Sequence, residues 1–273
     1  MIWLFISLLL VLIFAVVYVF LVMPRVVDVA DMDLLSTDYA HRGLHSATVP
    51  ENSLTAFYLA MREGYGIELD VQLSADGSIL VFHDDDLSRM CGVKGRICRQ
   101  SSTALRQLRL AGSNERIPLL QEVLELIEGR VPLLIEIKAT ENEEKLCREL
   151  SELLDTYSGA FAVQSFNPKT LSYFKKYRPR FARGLIVTRV SARLNSSRQS
   201  PLLCFALTHQ LTNVIARPDF IVIDKRMTRE PAFVLATRLF RSKAFVWTVR
   251  TPRQYRFCRK HSFFAIFENI KPK

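Results

Sequence analysis

Ile67-Glu68-Leu69-Asp70-Val71 and Leu134-Ile135-Glu136-Ile137-Lys138 are both apolar runs broken at every second residue by a charge. A period of two is that of a β-strand, not of a helix. On a strand Glu68 and Asp70 share one face, about 6.5–7 Å apart along the chain. The residues between them are aliphatic, which puts the opposite face in a core. Unpaired charges buried on such a strand are costly and require partners. Three carboxylates that converge are well matched by a divalent cation, and an all-oxygen set favours Mg²⁺ or Ca²⁺ over zinc. The rival reading for any one of them is an internal salt bridge, for example Glu136 with Lys138.

Outward from these runs the chain alternates between short apolar segments and longer amphipathic ones. Strands are expected at 39–41, 67–71, 79–83, 133–138, 162–165, 184–187, 220–223 and 245–249. Helices are expected at 53–63, 119–128, 143–157, 170–177 and 230–241, where apolar residues recur at i, i+3, i+4 and i+7. Strand–helix alternation implies a parallel sheet. Eight strands in about 245 residues favour a closed (β/α)8 barrel, an α/β TIM-barrel fold. No GxGxxG or GxxxxGK[ST] follows the first strand, which disfavours a nucleotide fold. The apolar tail 263–270 either closes the barrel or caps it. Residues 84–118 read as a long, polar, basic loop, of the kind that covers sites in such folds.

The first 23 residues stand apart. Residues 2–23 carry no charge, and as a helix they rise about 33 Å, enough to cross a hydrocarbon core. A basic leader and an A-x-A-like cleavage site are missing, which favours an uncleaved transmembrane anchor over a signal peptide. The expected organisation is an anchor at 1–23, a connector at 24–38 and a barrel domain at 39–273. Arg25 follows the span and no basic residue precedes it, so the positive-inside rule places the barrel in the cytoplasm of a single-pass membrane protein. Five cysteines, an odd number without a CxxC, read as reduced structural residues and argue against a zinc site.

The charge is lopsided. Residues 169–273 hold 23 Lys and Arg against four acids, and residues 1–168 hold 14 against 23. A basic half beside an anchor suits anionic lipid. No zinc finger or RNA-recognition motif is present, so nucleic acid is not an expected partner.

Ala40-His41-Arg42-Gly43, Pro50-Glu51-Asn52-Ser53, Glu68-Leu69-Asp70-Val71, Val81-Phe82-His83-Asp84, Ile135-Glu136-Ile137-Lys138, Gln164-Ser165-Phe166 and Trp247-Thr248-Val249 occur in that order. This ordered set, over residues 38–250, resembles the glycerophosphodiester phosphodiesterase family of PLC-like phosphodiesterases. The resemblance implies a (β/α)8 barrel with a short insertion after the third strand. It implies metal-dependent hydrolysis of glycerophosphodiesters, deacylated phospholipids or lysophospholipids, to glycerol 3-phosphate and an alcohol. By motif, His41 and His83 would be the acid–base pair, with His41 the favoured base. Glu68, Asp70 and Glu136 would bind the metal. Arg42 and Lys138 would contact phosphate, and Glu51 would order the site. The family's chemistry implies attack by the substrate's own glycerol hydroxyl, then opening of a cyclic phosphate by water. Imidazole titrates in the range both proton transfers need.

Two positions depart from the family pattern. Arg250 stands where Asn usually follows Trp-Thr-Val, and Phe267-Glu268-Asn269 replaces a Thr-Asp-Pro segment. Both bear on substrate contacts and barrel closure. Asn52, Gln164, Phe166 and Trp247 line the substrate pocket or pack the core. His45, His209 and His261 match nothing in the pattern and read as structural or surface residues. Two alternatives remain: a catalytically silent barrel that binds phospholipid headgroups, and a phosphatidylinositol-type phospholipase C. Bacterial enzymes of the latter group can dispense with a metal, so the carboxylate triad speaks against it.

Overall fold

Strand β1 (Tyr39–His41) pairs in parallel with β2 (Gly66–Leu73) on one side and with the last strand, β9 (Phe264–Phe267), on the other. That double pairing closes a sheet into a barrel. The structure is a computed structural model that describes residues 1–25, 32–138, 141–189 and 200–272. Between β2 and β9 the staves follow in sequence order: β4 (Leu133–Ile137), β5 (Phe161–Ser165), β6 (Ala182–Val187), β7 (Phe220–Asp224) and β8 (Lys243–Val249), all parallel. Part of the expected connector, residues 26–31, lies outside the described residues.

The expected strand count is right, but one stave differs. The run at 79–83 contributes β3 (Ile79–Val81), which pairs antiparallel with the C-terminal extension of β2, Val71 opposite Val81. It is a hairpin arm above the barrel. The eighth stave is β9, from the tail whose role the sequence left open. The insertion at 84–118 is more than a loop. It folds into short helical turns over its own apolar cluster, built on Leu80, Phe82, Leu87, Ile97, Leu105, Leu110 and Ile117.

Period-two alternation sorts the staves' side chains into two cores. Ile67, Leu69, Val71, Ile135, Val163 and Ile221 pack outward against the helices. Tyr39, Leu134, Ala162, Phe220, Phe245 and Ile266 point inward. The inward aromatics plug the floor: ring centroids of Phe220 and Phe245 lie 5.1 Å apart, and those of Tyr39 and Phe245 5.7 Å. Gly184 makes room for this plug, since a Cβ there would stand 2.1 Å from the Phe220 ring. Above the aromatic layer the inward positions turn polar, and the site begins.

Helix Ile2–Val22 is long and apolar enough to cross a membrane by length and composition. Its residues 1–17 are exposed, and Val22 is buried against the barrel wall.

Candidate active site

Each predicted site residue lies at the C-terminal ends of the staves or in the loops that follow them, the end where barrels of this kind place their sites. His41 ends β1, Glu68 and Asp70 project from β2, and Glu136 projects from β4 beside Asp70 in register. Arg42 follows β1, Lys138 follows β4, and His83 follows the β3 arm. Glu51 and Asn52 lie just before helix Leu54–Arg62, whose N-cap Ser53 accepts the Ala56 N–H at 3.1 Å.

The three carboxylates converge as expected. Glu68, Asp70 and Glu136 are buried and offer oxygens all within 4.8 Å of one another. Arg42 and Lys138 supply the nearest cations. Lys138 Nζ lies 2.8 Å from Glu136 Oε1 and 3.5 Å from Asp70 Oδ1. Arg42 Nε lies 3.4 Å from Asp70 Oδ2, and the Arg42 backbone N–H donates to Glu68 Oε2 at 3.0 Å. Asn52 Nδ2 donates to Asp70 Oδ2 at 2.9 Å, and Gln164 Nε2 to Glu68 Oε1 at 3.1 Å. Thus the salt bridge of Glu136 with Lys138 and the carboxylate cluster coexist.

Charge in this cluster is unevenly held. Burial, with Asp70 and Glu136 alongside, pushes the Glu68 carboxyl well above the usual range. Burial would also raise Asp70, but Lys138, His83, Arg42 and the Asn52 hydrogen bond hold it well below. Burial would lower Lys138, yet Glu136 and Asp70 keep its ammonium more firmly charged than usual. Three carboxylates against two cations leave one negative charge in a low-dielectric site. A divalent cation would more than offset that excess and screen the carboxylates from one another, and the hard oxygen donors suit one. The residues present therefore fit a divalent metal.

Both histidines are backed by a carboxylate. His41 Nδ1 lies 2.7 Å from Glu268 Oε2, and His83 Nδ1 lies 2.6 Å from Asp84 Oδ1. Each pairing engages Nδ1 and turns Nε2 away from the carboxylate. Burial lowers the His41 pKa, and the Glu268 hydrogen bond opposes this only in part. Glu268 itself is held far below the usual carboxylate range: burial would raise it, but hydrogen bonds from His41 and Arg250 prevail.

Glu51 joins two arginines beside the carboxylates. It accepts Arg42 NH1 at 2.7 Å and Arg89 NH2 at 2.6 Å, while Arg89 Nε reaches Asp84 Oδ2 at 2.5 Å. A continuous chain of charge-assisted bonds thereby links His83, through Asp84, Arg89 and Glu51, to Arg42. Gln72 completes the support. Its Nε2 faces the carbonyls of Phe82, His83 and Asp84 at 2.9–3.1 Å and fixes the turn that carries His83.

Several of these residues were not picked out from sequence. Arg250 and Glu268, read as departures touching substrate contacts and closure, bind each other at 2.5 Å and hold His41. His45, read as structural or surface, stands 3.8 Å from Glu268. Arg89 lies in the insertion and carries no motif. Asp84 follows His83 directly in the quoted motif, and that adjacency was the available signal.

The cavity between these groups has two unlike walls. His41, Arg42, Glu68, His83 and Glu136 form the polar one, and Phe166, Ile186, Val222, Trp247 and Ile266 the other. Gln164 Oε1 and Trp247 Nε1 are buried without hydrogen-bond partners among the described residues.

The family model described as the glycerophosphoryl diester phosphodiesterase family matches residues 41–269. The chain belongs to this family. A curated glycerophosphodiester phosphodiesterase of Caldanaerobacter subterraneus is 38% identical over 162 residues, 54% of this chain and 65% of the relative's length. The chain thus spans a little under two thirds of that relative. An Oleispira antarctica phosphodiesterase, solved in complex with the product sn-glycerol-3-phosphate, superposes with a TM-score of 0.68 at 28% identity, covering 85% of this chain and 92% of its own. The Thermotoga maritima glycerophosphodiester phosphodiesterase superposes with a TM-score of 0.65 at 26% identity, covering 85% and 94%.

Proposed function

We propose that this chain hydrolyses glycerophosphodiesters to glycerol 3-phosphate and an alcohol, with His41 as base and His83 as acid. The observation that carries this reading is the pair of carboxylate-backed imidazoles beside one buried triad of carboxylates. A phosphodiester carries one negative charge, and charge grows on its phosphoryl oxygens during displacement. Arg42 and Lys138, next to the triad, stabilise that charge.

His41, kept neutral by burial, takes the proton of a glycerol hydroxyl. That oxygen bonds to phosphorus, the bond from phosphorus to the alcohol oxygen breaks, and His83 protonates the departing alkoxide. The roles then reverse: His83 takes a proton from water, water opens the cyclic phosphate, and His41 returns its proton to the glycerol oxygen. Glu68, Asp70 and Glu136 would hold Mg²⁺ or Ca²⁺, which when bound would supply further positive charge near the phosphoryl oxygens. The free polar atoms of Gln164 and Trp247 are placed to meet glycerol hydroxyls.

Helix Ile2–Val22 serves in this reading as a single-pass anchor, with the barrel domain, residues 39–273, on the cytoplasmic side. Its length, the exposure of residues 1–17 and the flanking Arg25 support the assignment. Protease protection in intact cells checks the side.

The deciding experiment incubates the purified protein with glycerophosphocholine and glycerophosphoethanolamine, with and without EDTA. Release of glycerol 3-phosphate that stops with EDTA is expected. No turnover of any diester with any divalent metal would sink the reading.

A further inference from the structure

The anchor is joined to the barrel in a way that fixes which end of the barrel meets the membrane. At its exit the Arg25 N–H donates to the Pro218 carbonyl at 2.9 Å, and Arg25 NH1 lies 3.4 Å from Asp219. Both residues immediately precede β7, so this exit sits at the floor end of the barrel. Going back along the helix, the Val22 carbonyl accepts Asn213 Nδ2 at 2.7 Å, and the Phe20 carbonyl accepts Arg217 NH1 at 3.1 Å. Helix Ile2–Val22 also packs against helix Pro231–Arg238, and His209, four residues before Asn213, lies 3.6 Å from Glu230. Glu230 follows β7 and caps the start of helix Pro231–Arg238, so it stands at the mouth end. The helix therefore climbs the wall from floor to mouth, and residues 1–17 continue beyond the rim.

The lengths agree with a rim lying at the bilayer surface. Residues 1–17 supply about 26 Å of helix, against a hydrocarbon core of about 30 Å. Trp3 and Tyr18 bracket this stretch, as aromatic side chains do at the two membrane interfaces. With Tyr18 at one interface, the rim that the helix passes lies at headgroup level.

The same side of the rim carries a second apolar feature. Arg189 and His209 each approach Glu230 to 3.6 Å, which places the end of helix Pro201–Thr208 at the rim. On that helix Leu202, Leu203 and Phe205 are 77%, 41% and 55% exposed. Arg189, Arg226, Arg250 and Arg253, exposed after β6, β7 and β8, are placed to meet lipid phosphates. Inside the mouth, the apolar wall of Phe166, Ile186, Val222 and Trp247 comes from β5 to β8, the side on which the anchor docks.

We propose that the barrel sits with its mouth against the bilayer that its own anchor enters, with helix Pro201–Thr208 lying in the lipid interface. The site then takes single-chain phosphodiester lipids, lysophospholipids, directly from the leaflet, their apolar part leaving over the Phe166–Trp247 wall. This rests on the phosphodiesterase and anchor readings above.

The test uses the full chain in vesicles of phosphatidylcholine with phosphatidylglycerol. It compares turnover of lysophosphatidylcholine in the bilayer with that of soluble glycerophosphocholine. Leu202→Glu combined with Phe205→Glu is expected to cut lysophospholipid turnover by about tenfold or more, since charges oppose interfacial insertion, while soluble turnover stays unchanged. In Leu202→Trp, brominated lipids are expected to quench fluorescence beyond the wild-type level set by Trp3 and Trp247. No added quenching, or equal effects of the glutamates on both substrates, overturns the proposal. Absence of wild-type turnover on both substrates instead sinks the phosphodiesterase reading, and failure to float with the vesicles sinks the anchor reading.

Discussion

His41 Nδ1 and Glu268 Oε2 lie 2.7 Å apart across the seam where the first and last staves close the barrel. Closing the barrel therefore backs the proposed base: the β1–β9 pairing is what brings Glu268 behind His41. Arg250, from the end of β8, clamps the other Glu268 oxygen at 2.5 Å.

Replacing Glu268 with Gln keeps the shape but removes the charge that stabilises a protonated His41. Because that charge raises the His41 pKa against burial, its loss lowers the pKa further. The acid limb of kcat/KM should then move to lower pH, and kcat should fall about 100-fold, within the usual worth of a general base. A steady-state pH profile of the variant reads both. An acid limb that moves to higher pH would contradict the pairing described here.

His83 depends on Asp84 and the Arg89–Glu51 chain, and it is no member of the carboxylate triad. His83→Ala should reduce turnover by about 10²–10⁴-fold while leaving divalent-metal affinity, followed by calorimetry, nearly intact. Strong loss of metal binding would reassign His83 as a ligand.

Much of this site was legible because local alternation carries chemistry. Glu68, Asp70 and Glu136 declared themselves as charges on otherwise aliphatic strands, and the motif order placed His41, Arg42, His83 and Lys138. What local pattern cannot reveal is pairing. The β3 segment alternates like a stave, and only its antiparallel register with β2 shows that it is a hairpin arm. β9 itself, Phe264–Phe267, carries no charge to mark it as a wall of the site. Glu268 reaches His41 from 227 residues away, a contact created by barrel closure and invisible to spacing. Arg89 owes its place to an insertion that builds a core of its own, where a polar, basic composition suggested only a covering loop.

The floor of the barrel sets a steric limit that is independent of chemistry. A methyl added at Gly184 meets the Phe220 ring at 2.1 Å, and that ring is buried against Phe245. Overpacking of this kind costs about 1–3 kcal/mol, so Gly184→Ala should lower Tm by about 2–12 °C. Differential scanning fluorimetry decides it, and an unchanged Tm would mean that the plug repacks freely.

The metal reading makes a prediction about stability whose sign follows from Glu68. Its pKa is raised above the ordinary value by burial and by Asp70 and Glu136. As pH rises, the unfolded chain releases this proton first and the folded protein later. Between those two pKa values the folded state holds more protons, so metal-free stability falls with rising pH. A divalent cation cancels the repulsion that causes this, and it binds the deprotonated triad best. At about 100 times its Kd the ion should add about 2.7 kcal/mol, or about 5–10 °C in Tm for a domain of this size. The increment from Mg²⁺ or Ca²⁺ should therefore be larger at neutral pH than at pH about 5, where Glu68 holds its proton more fully. Glu68→Gln should shrink the increment and flatten its pH dependence. An increment as large at the acidic pH, or one that survives loss of the Glu68 charge unaltered, would show that the ion binds somewhere other than the triad.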